Sequence, residues 1–175
     1  MTHRDPLENP QPLIRRLYSY VAYRIGDGAD AEDVTSAAFE RALRYRHTFD
    51  KDRGEPISWL IGIAARCVSD HLARRSELLG EVQDTAAPGE IAADVAGRID
   101  LQRAVASLDQ RDRELVSLRY GADLTARQIG DLLGMRTNAV EVALHRMLRT
   151  LREELEQPEW NPHATEPKRE LGATE

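Results

Sequence analysis

Residues 125–152 read TARQIGDLLGMRTNAVEVALHRMLRTLR, and the fold is decided here. Thr125 and Gln128 predict a capping box, in which the hydroxyl accepts from the backbone and the amide reaches back. Ile129, Leu132 and Leu133 then make a short apolar face, and Gly134 marks a turn. Beyond it Val140, Leu144, Met147 and Leu151 recur at helical spacing. A helix, a tight turn and a second helix form the unit that docks its second helix in a DNA major groove.

The rest of the 175 residues agrees with helix. Apolar residues make up 41% of the chain, enough for a core, yet aromatics only 5%. Ala, Leu, Arg and Glu dominate, and no alternating strand pattern of useful length occurs. Cys67 is the single cysteine, which excludes an internal disulfide and fits a reducing compartment. The first residues, MTHRDPLENPQP, lack the apolar stretch of a signal peptide. No run approaches the roughly 20 apolar residues that span a bilayer. The expectation is a soluble cytoplasmic protein without membrane insertion.

The net charge of −6 argues against a nucleic-acid partner until its distribution is read. Residues 11–76 carry 11 basic and 9 acidic groups, and residues 98–153 carry 10 and 8. Residues 77–97 hold five acids and no base, and 154–175 hold six acids against Lys168 and Arg169. The acid sits in the joint and the tail. The two helical blocks are mildly basic, and local patches govern phosphate binding more than the sum does.

In the first block Pro12 suits a helix start, with Leu13, Ile14, Leu17, Tyr18, Val21 and Ile25 along one face. Gly26-Asp27-Gly28 ends it. Asp30 and Asp33 can cap the next helix, which carries Val34, Ala38, Phe39, Ala42 and Leu43. A loop over 50–54 precedes a third helix from Pro56, with Ile57, Leu60, Ile61, Ala64, Val68 and Leu72 inward. Residues 77–97 form a linker too poor in apolar residues for a packed core. In the second block Leu101, Ala104, Val105 and Leu108 make one helix. Asp109 can cap the next, which stops at Gly121 before the helix-turn-helix. The tail from Gln157 holds three prolines and reads as disordered.

On the last helix Asn138, Glu141, Val142, His145 and Arg149 fall opposite the core stripe. Recognition helices read bases with their N-terminal residues, so Arg136, Thr137, Asn138 and Glu141 have the best access to base edges. Asn pairs with adenine, and Glu accepts from a cytosine amine. Arg146, Arg149 and Arg152 lie further along and suit phosphates, although the same arginines also fit a plain solvated face. In the first block Trp59, Ile63, Arg66 and Asp70 fall opposite the third helix's apolar stripe. An exposed Trp59 beside Arg66, near Tyr45, His47, Phe49, Lys51 and Arg53, suits single-stranded nucleic acid. Packing of Trp59 on a neighbouring helix is the other reading. The histidines at 3, 47, 71, 145 and 163 do not pair with Cys67 or each other at metal-ligand spacing. No glycine-rich phosphate loop or nucleophile elbow is present. No catalysis, cofactor or metal is expected.

The two blocks together resemble the extracytoplasmic-function (ECF) sigma factors of bacterial RNA polymerase. The resemblance rests on Ala31-Glu32-Asp33-Val34 with Phe39, then Phe49-Asp50, Arg53-Gly54, Ser58-Trp59-Leu60, Ile63-Ala64 and Asp70-His71-Leu72. In the second block it rests on Leu108, Arg113-Glu114, Leu118-Arg119-Tyr120, Ile129, Leu133-Gly134, Val140, His145-Arg146 and Leu151-Arg152. It implies an all-α chain of two helical domains. Region 2 covers 11–76, an acidic linker 77–97, region 4 covers 98–155, and the tail 156–175.

The resemblance also implies roles. The helix from Asp30 to about Arg46, through Asp30, Glu32, Asp33, Val34 and Phe39, would dock on the clamp of core polymerase. Phe49, Lys51, Arg53, Trp59, Arg66 and Arg74 would open and hold the −10 element. Arg136, Thr137, Asn138, Glu141, His145, Arg146 and Arg149 would read the −35 element in duplex DNA. The linker would thread toward the polymerase cleft, and an anti-sigma factor would be a further partner. Three departures stand out: Ser36-Ala37 in the clamp-binding helix, Cys67 on the helix facing promoter DNA, and Glu141 with Ala143 in the recognition helix. Two alternatives stay open: a mimic that only sequesters an anti-sigma factor, and a helix-turn-helix regulator that works without polymerase.

Overall fold

A computed structural model describes residues 5–79 and 104–156, the side chains of 79 and 154–156 excepted. Leu101, most of the linker and the tail beyond 156 lie outside the described residues. The order is α1 (Pro10–Ile25), α2 (Ala29–Tyr45), two single 3-10 turns, α3 (Pro56–Leu79), a helical stretch over 104–107, α4 (Gln110–Val116), a π turn (Ser117–Gly121), α5 (Ala126–Leu133) and α6 (Thr137–Glu156). Among the described residues there is no strand, so the expected all-α class holds.

Helix α1 starts on prolines, whose missing N–H is no loss in a first turn. It ends at Gly26, where φ is 96° and the backbone N–H bonds to the Ala22 carbonyl. The return into α2 is pinned by Asp27, whose carboxylate accepts from the Tyr18 hydroxyl and from the Gly28 N–H at 3.1 Å. That hydrogen bond to Asp27, aided by burial, pushes the Tyr18 hydroxyl pKa up. The expected caps differ here: Gly28 occupies the cap of α2, and no side chain caps it. Asp30 and Glu32 stand instead in the first turn, where negative charge favours the helix dipole. Helix α3 runs three residues into the segment read as linker.

Leu17, Val21, Val34, Ala38, Ile57, Leu60, Ile61, Ala64 and Val68 fill the core between α1, α2 and α3. Each fully buried Leu or Ile is worth about 1.5–3 kcal/mol. Ile14 and Leu43, expected inward, are exposed, because the apolar stripes of α1 and α2 are narrower than the spacing implied. At the rim Arg41 pairs with Asp70 at 3.3 Å, and His71 lies 3.7 Å from Asp30. The neighbouring Asp70 and His71 thus point to different partners on α2.

The second unit is stitched by arginines. Arg113 donates to the carbonyls of Ala106 at 2.6 Å and Leu108 at 3.0 Å, closing the end of the preceding helical stretch. Asp109 caps α4 by accepting the Asp112 N–H at 2.8 Å, as its sequence position predicts. The helix then widens into the π turn rather than continuing regularly to Gly121.

That turn is where the two units meet. A Cβ on Gly121 would stand 2.8 Å from both Cα and N of Tyr20, so only glycine lets the π turn lie against the α1 backbone. Arg16 donates from Nε to the Ala122 carbonyl at 2.7 Å and from Nη2 to the Asp123 carbonyl at 3.0 Å. Asp123 presents that carbonyl from left-handed backbone, φ 53°. Arg24, buried, donates to the Gln110 carbonyl at 3.3 Å. Tyr20 is 1% exposed and completes the apolar seam.

Two kinds of outcome test this joint, the first from substitution. Gly121→Val should part the units while each keeps its helices, seen as an unchanged far-ultraviolet circular dichroism spectrum and a larger radius of gyration in small-angle X-ray scattering. Arg16→Ala should weaken docking by about 1–3 kcal/mol through its lost charge-assisted hydrogen bonds. The second outcome concerns pH. Burial, the main cause, pushes the Tyr20 hydroxyl up to about 12 from 10.0. Above pH 10 the unfolded chain releases this proton and the docked form does not, so the Tyr20 contribution is whole below pH 10 and is lost as pH rises to about 12. Scattering across that window should show loosening, and Tyr20→Phe should move it to higher pH.

Candidate nucleic-acid interface

The helix-turn-helix forms as its sequence predicts. Thr125 Oγ1 accepts the Gln128 N–H at 3.2 Å, and Gln128 Oε1 accepts the Thr125 N–H at 2.8 Å. Gly134 sits in left-handed backbone, φ 67°, and its N–H bonds to the Gly130 carbonyl. Met135 N–H shares that carbonyl at 2.9 Å. Gly130 is a second constraint that sequence reading missed, since a Cβ there would stand 2.6 Å from the Met135 carbonyl oxygen. Ile129, Val140, Leu144, Met147 and Leu151 are buried and fix the angle between α5 and α6.

Helix α6 therefore turns its other face outward. Arg136, Thr137, Asn138, Glu141, His145, Arg146 and Arg149 are all exposed. Glu141, Val142, His145, Arg146 and Arg149 line one open groove. Arg146 lies 3.9 Å from Asp112, and Arg149 lies 3.7 Å from Glu153 one turn on. The Arg149–Glu153 pair is exposed on both sides and worth under about 1 kcal/mol, whereas Asp112 is mostly buried beneath an exposed Arg146.

The second surface belongs to α3 and the turns before it. Phe49 and Trp59 meet edge to face, ring centres 5.7 Å apart. Trp59 is half-buried and packs against the core, which corrects the expectation of an exposed indole. Ile63 is likewise half-buried, because the apolar stripe of α3 is wider than the spacing implied. The pair forms a partly exposed aromatic ledge. Lys51, Arg53, Arg66 and Arg74 are exposed. Tyr45 stands tilted against His47, ring centres 6.5 Å apart. Asp50 holds the loop by accepting the Asp52 N–H at 3.0 Å. Aromatic edges among cations suit unpaired bases and their phosphates.

On α2, Asp30, Glu32 and Asp33 are exposed and form an acidic face. Two other residues assigned to polymerase contact lie elsewhere. Val34 is 5% exposed in the core, and Phe39 is half-buried against it; their face packs on the neighbouring helices. Cys67, on the helix expected to face promoter DNA, is also 5% exposed, and burial pushes its thiol pKa up. Among the described residues no group of three His, Cys, Asp or Glu side chains could hold a metal, and no helix is long and apolar enough to cross a membrane.

Residues 11–77 match the Sigma-70 region 2 family, and residues 98–151 match the Sigma-70, region 4 family. Among similar proteins, the ECF RNA polymerase sigma factor SigD of Mycobacterium tuberculosis is 31% identical over 169 residues, covering 87% of this chain and 76% of SigD. The ECF RNA polymerase sigma factor BldN of Streptomyces coelicolor is 32% identical over 143 residues, covering 77% of this chain. The match spans about half of BldN, 54% of its length. In fold the chain is similar to the sigma factor RpoE of Bartonella quintana, solved with the anti-sigma factor NepR. There the TM-score is 0.65 at 16% identity, over 82% of this chain and 91% of that one. It is also similar to CnrH, solved with the cytosolic domain of CnrY, at TM-score 0.55 and 23% identity, over 82% and 80%.

The capping box carries a measurable share of this site. Thr125→Ala should cost about 1 kcal/mol of stability in urea titration and weaken duplex binding, because α5 is the brace of α6.

Proposed function

The chain belongs to the ECF RNA polymerase sigma factors, and from that premise we propose how its surfaces divide promoter recognition and strand opening. Helix α6 reads the −35 element as duplex, with Arg136, Thr137, Asn138 and Glu141 nearest the bases and His145, Arg146 and Arg149 toward the backbone. The Phe49–Trp59 ledge, with Lys51, Arg53, Arg66 and Arg74, holds the −10 element as single strand. The acidic face of Asp30, Glu32 and Asp33 meets the clamp of bacterial core polymerase. Residues 11–76 and 98–155 act as the two domains, and 77–97 joins them. The protein catalyses nothing itself and works with polymerase in the cytoplasm. An anti-sigma factor is a further partner, by analogy with the RpoE complex with the anti-sigma factor NepR.

The observation that carries this reading is the presence, on one chain, of two differently built DNA surfaces. One is a basic helix face suited to duplex. The other is an aromatic ledge among cations suited to unpaired bases. A mimic that only sequesters an anti-sigma factor needs neither, and a duplex-binding regulator needs only the first.

Distance then imposes a step. Two elements about 25 base pairs apart are about 85 Å apart along duplex at about 3.4 Å per step. The longest helix of the docked body, α3 with 24 residues, spans about 36 Å. The contact of the π turn with α1 at Gly121 is the place where the docked body would open to hold both elements at once.

In vitro transcription with core polymerase and a promoter library should give initiation dependent on the chain. Trp59→Ala should lower permanganate reactivity of opened thymines by about tenfold, within the 1–3 kcal/mol that base stacking is worth, and leave duplex binding by the second unit intact. Unchanged reactivity would make Trp59 a core residue only.

A further inference from the structure

The groove on α6 has a chemistry that phosphate binding does not use. Among its arginines and histidine stand a carboxylate and an aliphatic side chain, adjacent in sequence, Glu141 and Val142. Val142 is 62% exposed, although the other valine on this helix, Val140, is fully buried. Glu141 is exposed and has no ion pair or hydrogen bond from its side chain among the described residues.

A free carboxylate on a surface that meets phosphates is repelled by them. Within a DNA groove a donor on a base edge compensates it alongside the neighbouring His145 and arginines, since a carboxylate solely accepts. In the major groove guanine and thymine oppose it with acceptors. Adenine offers an amine but sets its N7 acceptor alongside, whereas cytosine offers its N4 amine alone. The geometry of donors therefore selects cytosine. For an aliphatic side chain the base edges provide one apolar group, the C5 methyl of thymine. Residues 141 and 142 are one helical step apart, a rise of about 1.5 Å, so the two bases lie close together in the site.

Resting on the reading of α6 as the duplex-reading helix, we propose that Glu141 and Val142 set the base preference of this chain, Glu141 through a cytosine amine and Val142 through a neighbouring thymine methyl. Arg146 and Arg149, each beside an acidic residue, supply position rather than choice.

The test uses the full chain bound to bacterial core polymerase. It selects from duplex DNA randomised over about forty base pairs, roughly four helical turns. Wild type, Glu141→Gln and Val142→Ala are compared; both positions are exposed, and circular dichroism checks that the variants fold. Wild type should enrich an upstream motif containing a cytosine with a thymine close by. Glu141→Gln should shift the cytosine toward adenine, because an amide can pair with adenine N6 and N7 together. Replacing that thymine with uracil removes the methyl alone. It should weaken wild type by about fourfold, the worth of one buried methyl, and leave Val142→Ala unchanged. A motif that both variants share unaltered, with uracil tolerated, overturns the assignment and leaves duplex reading standing. A wild-type complex that enriches no upstream motif overturns duplex reading itself, and the assignment with it.

Discussion

The close backbone approach of Gly121 to Tyr20 is the constraint on which the arrangement of the two units depends. No side chain fits there, since a Cβ on Gly121 would stand 2.8 Å from backbone atoms that cannot swing aside. The π turn puts this glycine against α1, and Arg16 then spans to the carbonyls of Ala122 and Asp123. Backbone carbonyls are modest partners for a guanidinium. A joint made of one glycine contact, a few arginine bonds and the Tyr20 ring is strong enough to define an arrangement.

The same economy explains the use of arginine. Arg16, Arg24, Arg113 and Arg119 all donate to backbone carbonyls, and none belongs to a DNA-facing set. They close helix ends and loops, satisfying acceptors that would otherwise be stranded away from water. Arg136, Arg146 and Arg149 remain outward, along with Arg53, Arg66 and Arg74. A count of basic residues cannot separate these two populations; their geometry does. The functional field is made by a minority of the positive charge, which is how a chain of net charge −6 still presents two basic surfaces.

Each of those surfaces is held by a rigid local device. The capping box and the two glycines of the helix-turn-helix set the angle of α6, so its outward face is fixed before any DNA arrives. The Phe49–Trp59 contact stiffens the loop that carries Lys51 and Arg53. Preorganisation of this kind lowers the ordering cost of binding. Trp59 is half-buried rather than free, so the contact with Phe49 is anchored in the core.

Much of this was legible in the residues alone. The capping box at Thr125, the Gly134 turn, the Asp109 cap, the proline start of α3 and the core stripe of α6 are local in sequence. Their physics acts within a turn or two, so spacing suffices to read them. The outward face of α6 followed from the same periodicity. Ile14 and Leu43 are exposed and Ile63 is half-buried against their expected places, because periodicity gives the phase of a stripe but not its width or its neighbour. Val34 took its polymerase role from the resemblance, although its spacing already put it in the apolar stripe. Gly121 reads as a helix stop and Tyr20 as an ordinary tyrosine; their meeting spans about a hundred residues and leaves no local signature. Sequence by itself thus determined the helices, the caps at Asp109 and Thr125 and the outward face of α6, since those depend on neighbours along the chain. Only tertiary structure decided which side chains stay free to bind and how the two units close on each other, since those depend on which backbones can approach through space.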